Sequence, residues 1–284
     1  MFPIIGYLVA IGGILGGYLG AGGHIGILIQ PFEVLIILGG ALGGFVVANS
    51  PKVLKAALSG VGQVFKSSKY NKDFYLETLT LLNKIFYKIR QNGLLSIESD
   101  IERPENSEVF KVAPRVLADH HATEFITDYL RLMASGSLDV HQIENLMDID
   151  IETHHEEGYE PIAALARLAD GLPAFGIVAA VMGVVHTMES LDQPQNVLGG
   201  LIAAALVGTF LGILIAYAFV APLTGNLQQK LDESTKYYQS IKAALIASIN
   251  GYAPPTAVEF GRKVIFSRDR PGFEELEQHL KANK

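Results

Sequence analysis

Histidines, carboxylates and a few hydroxyls in apolar stretches are the groups in this chain whose types and spacing bear on chemistry. His120-His121 and His154-His155, the second pair followed by Glu156-Glu157, have the composition of a metal set. A zinc hydrolase helix needs two histidines at i and i+4 with a glutamate between, and neither pair has that spacing. A solvated helix face is the favoured reading, and no metal or cofactor is expected. The glycines lie in apolar runs, where close helix packing is their natural role, rather than in a phosphate-cradling loop. Arg90, Glu98, Asp100, Glu102 and Arg103 gather around a turn between two helical stretches. Taken alone, such a cluster reads as an ordinary solvated surface. No catalytic constellation emerges, and the chain does not read as an enzyme.

The carboxylates of the apolar stretches say more. Glu33 opens one such stretch, Asp170 stands at the mouth of another, and His186 lies close to its far end. No Asp or Glu falls in mid-span. Moving protons through a bilayer normally requires an ionisable group at depth. This chain lacks one, yet Thr209 and Tyr217 lie deep in a stretch of small residues. Either the chain conducts nothing, or a partner helix supplies the carboxylate.

The elements that position these groups form a membrane hairpin. Leu172–Met188 is apolar or small except for His186 and Thr187, and Val197–Leu223 contains no charge. Between them lies a polar break from Glu189 to Asn196. Each run approaches or exceeds the roughly 20 helical residues needed to cross a hydrocarbon core about 30 Å thick. Gly200, Ala204, Gly208, Gly212 and Ala216 recur at i, i+4 along the second run, as closely packed membrane helices require. Pro173 and Pro222 stand at the two feet.

Two further spans precede the hairpin. The first is expected over Ile4–Leu19, with Gly12, Gly16 and Gly20 in one row, and reads as an uncleaved span because no basic residue precedes it. The second is expected over Pro31–Ala48, with proline in its first turn. The predicted organisation is spans one and two over 1–50, a helical cytoplasmic domain over 51–168, spans three and four over 169–223, and C-terminal cytoplasmic helices over 224–284. The fold class is all-α, a polytopic membrane protein with four transmembrane helices.

All 22 Lys and Arg residues fall within 52–167 and 230–284. By the positive-inside tendency these segments and both termini are cytoplasmic, and the loops at 21–30 and 189–196 face outward. The chain is 49% hydrophobic and carries a net charge of -7, which gives no case for nucleic acid. With no Cys there is no disulfide or thiolate chemistry.

The cytoplasmic segments show helical periodicity and no useful strand pattern. A helix is expected over Lys72–Gln91, stopped by Asn92-Gly93, and a shorter one over Leu94–Glu102. Another is expected over Ala122–Ala134, ended by Gly136. Asp139 is positioned to cap a long helix running toward Arg167, with a kink at Pro161. Asn226–Ile249 reads as helix, broken by Gly251–Pro255, and Pro271 opens a last one. Pro173 is expected at the start of span three, where its missing N–H costs no helical bond.

Longer motifs then carry a resemblance. The run from Leu172 to His186 (LPAFGIVAAVMGVVH), Val207–Ile213 (VGTFLGI), Asn250–Pro255 (NGYAPP) and Val258–Lys263 (VEFGRK) resemble the MotA family of flagellar motor stator proteins, of the enterobacterial type. The resemblance covers nearly the whole chain. It implies a pentameric ring around two copies of MotB, a single-span protein that carries the ion-binding Asp and grips peptidoglycan. It implies ion flow that turns the ring against the rotor switch protein FliG, at the bacterial inner membrane. Residue by residue, it implies rotor contact at Arg90 and Glu98 and conformational coupling at Pro173 and Pro222. It implies an ion path beside Ala180, Thr209 and Tyr217. Sodium-driven relatives tend to have Thr at the position of Ala180, so Ala favours protons. The nearest alternative is an ExbB or TolQ type energiser of outer-membrane processes, which has three spans; a second is a structural membrane scaffold without ion flux.

Overall fold

The computed structural model describes residues 2–282, and every regular element among them is helical. The chain divides into two compact units. One comprises residues 1–67 and 157–229, the other residues 68–156 and 230–284.

The first unit holds the membrane spans. Helix α1 covers Phe2–Gly20 and α2 covers Pro31–Ala48, the latter with the bounds expected from its opening proline. Helix α3, Pro51–Val64, was not anticipated. Ser50 caps it by accepting from Val53 N at 3.4 Å, and Pro51 takes the first turn, where a missing N–H is harmless. By length and composition four helices can cross a membrane, and the chain is a multi-pass membrane protein. The spans expose many large apolar side chains, among them Leu8, Val9, Leu35, Val181 and Leu206, as lipid-facing helices do. Their interior core is small: Ile37, Ala41, Leu172, Ala179 and Ala216.

Span three does not begin near Leu172. It is the distal part of one helix, α7, over Val140–Glu189, with Pro161 and Pro173 inside it. The helix continues through Pro161. Pro173, expected at a helix start, lies within the helix, so its missing N–H does remove an intrahelical bond. Such losses are tolerated in spans where neighbouring helices re-satisfy or shield the freed carbonyl. Span four is α8, Gln195–Leu214, which passes through a π-helical segment, Ile215–Val220, into α9, Ala221–Ile249.

The second unit is a helical core without a membrane span of its own among the described residues. Helix α4, Lys72–Asn92, starts at Asn71, whose side chain accepts from Phe74 N at 3.0 Å. It stops at Gly93, whose φ of +84° only glycine adopts freely. A 3₁₀ turn at Leu94–Ile97 leads into α5, Glu98–Glu102, in place of the single helix expected there. Helix α6 spans His120–Ser135 and ends at Gly136. Asp139 does cap α7: Gln142 N donates to Asp139 Oδ1 at 2.9 Å while Asp139 N donates to Gln142 Oε1 at 3.0 Å. The break expected at Gly251–Pro255 does end α9 at Ile249; helix α10, Pro254–Val264, was not anticipated, and α11 covers Phe273–Ala282.

The core of this unit joins α4, α6, the early part of α7 and the late part of α9 through Leu79, Leu82, Phe86, Ile126, Met147, Tyr237 and Leu245. Tyr237 is wholly buried; its hydroxyl lies 3.1 Å from Thr78 Oγ1, and Tyr70 and Phe74 pack on its ring. Two side chains seam α7 to α9. His154 Nε2 lies 3.0 Å from Ser234 Oγ, and His155 Nδ1 lies 3.0 Å from Thr235 Oγ1. Thr235 in turn donates to the Leu231 carbonyl at 3.0 Å.

Candidate functional site

The hairpin crossing is built by glycine. Gly176 and Gly183 on α7 face Gly208, Gly212 and Ala205 on α8. A Cβ added at Gly212 would stand 2.8 Å from Gly176 Cα and 2.8 Å from the Leu172 carbonyl oxygen. A Cβ at Gly208 would lie 3.1 Å from Ala179 Cβ and 3.4 Å from Ala180 N. The two backbones therefore touch at Gly176 and Gly212, with only alanine methyls between the spans at Gly183 and Gly208. Only part of the predicted row does this work, since Gly200 has open space around it. Across α2, Gly40 lies so close to the Phe175 ring that a Cβ there would collide with it.

Ala180 and Thr209 both lie at this crossing, Ala180 N being 3.4 Å from where a Gly208 Cβ would stand. Both are half-buried, and the Thr209 Cα lies 3.4 Å from where a Gly176 Cβ would stand. Tyr217 is two turns further along and 61% exposed, so within one chain it joins neither residue. Pro173 is half-buried beside the Leu172 carbonyl that Gly212 meets, while Pro222 is exposed. Glu33, in the first turn of α2, has one carboxylate oxygen buried without a hydrogen-bond partner.

The π-helical segment was missed by sequence reasoning, although its cause was in view. Pro222 cannot donate, and its ring would crowd the carbonyl of Ala218 in a regular helix. The turn ahead of it widens instead: Ala221 N bonds to the Ala216 carbonyl, five residues back. Such insertions are rare and concentrate at functional sites. Tyr217 sits inside this widened turn.

The charged turn is also more ordered than its composition suggests. Arg90 and Glu98 are both exposed, Arg90 in the last turn of α4 and Glu98 in the first of α5. Neither enters an ion pair among the described residues. Asp100, from the same cluster, points inward and is 7% exposed. It accepts from Lys88 Nζ and from Ser107 Oγ, each at 2.6 Å. Ser96 Oγ donates to the Gly93 carbonyl at 2.6 Å and lies 3.3 Å from that of Lys88. The two free charges are thus presented on a turn tied from beneath. Sequence distance hid this, because Lys88 lies on the far side of the Gly93 turn and Ser107 lies beyond the end of α5 at Glu102, so neither shares a helix with Asp100.

Three of the four paired histidines have partners within the fold. His154 and His155 make the α7–α9 seam, and His120 pairs with Glu124 at 3.0 Å. Elsewhere in the second unit, Arg262 is buried and forks onto Glu259 with two bonds of 2.6 Å while donating to the Pro271 carbonyl at 2.8 Å. These bonds hold the Glu259 carboxyl below its ordinary range, and burial pushes the Tyr237 hydroxyl up.

Comparison with known proteins places this architecture. Residues 4–93 match the family model of the motility protein A N-terminal region, and residues 117–240 match that of the MotA/TolQ/ExbB proton channel family. Motility protein A of Salmonella typhimurium is 51% identical over 282 residues, covering 99% of this chain and 96% of the relative. Motility protein A of Escherichia coli K12 is 51% identical over 284 residues, with 100% and 96% covered. The C. jejuni MotAB structure superposes with a TM-score of 0.78 at 24% identity, over 95% of this chain and 98% of that one. The Bacillus subtilis flagellar MotAB stator complex gives 0.73 at 22% identity, over 90% and 92%. With near-complete coverage at this identity, four spans rather than three, and the glycine-built hairpin, the chain belongs to the motility protein A family.

Proposed function

We propose that this chain is a stator subunit of a bacterial flagellar motor, which with a MotB-type partner forms a proton channel and converts ion flow into torque. The observation that carries the reading is the hairpin crossing. Two spans pack backbone to backbone around Ala180 and Thr209, yet no carboxylate of this chain lies at that depth. A proton path there needs an ionisable group from outside, and a single-span partner with an inner Asp supplies it. The relatives of known structure are MotAB complexes, in keeping with such a partner.

On this reading the working unit is a pentamer of this chain around two partner chains anchored to peptidoglycan. It sits in the inner membrane with both termini cytoplasmic, as the placement of Lys and Arg supports. Ala180, Thr209 and Tyr217 border the ion path, and Ala180 favours protons because it lacks a hydroxyl that could replace part of a sodium ion's hydration shell. Pro173 and Pro222 couple the path to the second unit. Arg90 and Glu98 engage the rotor protein FliG, and their exposure without internal partners supports that role.

Charge reversal tests it. Arg90→Glu and Glu98→Lys impair swimming at normal protein level, and complementary reversals on the rotor protein partly restore it, since charges at such contacts set encounter rate and register. Arg90→Ala is milder than Arg90→Glu. Normal swimming in both reversals refutes the contact.

A further inference from the structure

Helix α1 has no part in the crossing or the charged turn. None of its residues is buried, and Gly6, Gly12, Gly13, Gly16, Gly17 and Gly20 all have open space around them. A narrow stripe of half-buried residues runs along it, Pro3, Tyr7, Ala10, Ile14, Leu15 and Tyr18, at the spacing of a single helix seam. Tyr7 carries the seam's link to span four. Its hydroxyl donates to the Phe219 carbonyl at 3.1 Å, and its ring stacks on that of Phe219 with centroids 5.4 Å apart and planes 20° apart. Phe65 closes the other side at 6.5 Å.

Phe219 lies inside the π-helical segment, three residues before the proline that causes it. Pro222 withholds the donor that would serve Ala218 in a regular helix. The Tyr7 hydroxyl gives the adjoining carbonyl, that of Phe219, a donor from a neighbouring helix, in a setting where no water can do so. Position matters as well as energy. Closing the turn to a regular helix would shift everything beyond it by one residue, about 100° of rotation. Tyr217 and Pro222 would then face elsewhere.

We propose that Tyr7 is a positioning residue: its hydroxyl braces the π-helical turn Ile215–Val220 and so fixes the register in which span four leaves the membrane. The importance of that register for torque rests on the function proposed above; the brace itself does not.

The test is amide hydrogen exchange of the segment 215–224, in the full chain assembled with its MotB-type partner in membrane nanodiscs. Tyr7→Phe keeps the ring and removes only the hydroxyl. It accelerates exchange there about fivefold, as losing one net hydrogen bond does, with 172–188 unchanged. Adding Pro222→Ala restores an N–H, lets the turn close, and brings exchange back toward wild type. Ile14→Ala loosens the same stripe without touching a hydroxyl and leaves 215–224 slow. Unchanged exchange in Tyr7→Phe overturns the brace, as does equal acceleration with or without Pro222→Ala, or in Ile14→Ala. Swimming of Tyr7→Phe is scored separately: fast exchange with normal swimming upholds the brace and refutes the coupling role of this segment.

Discussion

Gly212→Ala is the sharpest probe of the hairpin. The added methyl carbon would sit 2.8 Å from Gly176 Cα and from the Leu172 carbonyl oxygen, against 3.4 Å where ordinary contact begins. Both obstacles are backbone, so no side chain can swing aside, and the two spans must separate by about 0.6 Å over their closest approach. Overpacking of this kind costs about 1–3 kcal/mol. Alanine also favours helix over glycine by about 1 kcal/mol, which would mask part of the loss. Gly200→Ala removes that ambiguity: it lies on the same helix, gains the same propensity, and meets nothing within 4 Å in this chain. The difference between the two variants isolates the crossing. Thermal unfolding of the detergent-solubilised complex should show Gly212→Ala melting about 2–12 °C below Gly200→Ala. Equal melting temperatures would refute a crossing held by bare backbone contact.

The other predictions concern the second unit. Asp100→Ala leaves Lys88 and the Ser107 hydroxyl without their acceptor; because Lys88 is 31% exposed the loss is about 2–3 kcal/mol rather than the full cost of breaking a buried pair, read as a lower melting temperature than that of Arg90→Ala. If the two variants melt together, the turn is not tied through Asp100. Glu259, held low by Arg262, contributes stability that is complete above the ordinary glutamate value of 4.5 and is lost as pH falls through its depressed folded value. Glu259→Gln should therefore flatten the acid side of the melting-temperature profile; an unaltered profile would show that the fork carries no linked stability.

Local signals in the sequence were read well where a single residue decides the outcome. Pro31 opens α2, Gly93 ends α4, Gly136 ends α6 and Asp139 caps α7, each by chemistry confined to one turn. The prolines show the limit of that reading. Pro173 looked like a start because proline prefers first turns, but membrane helices continue through it, and α7 runs on from Val140. Pro222 announced a disturbance without saying whether the helix would kink or widen. Gly251–Pro255 does end α9 as expected, but its prolines also open α10, which was not anticipated. Of the candidate site, Ala180 and Thr209 both lie at the crossing because each adjoins a glycine of the facing helix. Asp100 looked like surface charge, since Lys88 and Ser107 both lie outside the short helix that carries it, where periodicity says nothing.

The seam at His155 has a fixed polarity. Thr235 has one hydroxyl proton and gives it to the Leu231 carbonyl, so its oxygen is left to accept from His155 Nδ1. The hydrogen bond between the two long helices thus runs one way, from α7 through the α9 hydroxyl into the α9 backbone one turn earlier. A side chain that must be read by both partners in one direction marks a single axial register, and α7 and α9, which each continue into a membrane span, are pinned to each other at that point.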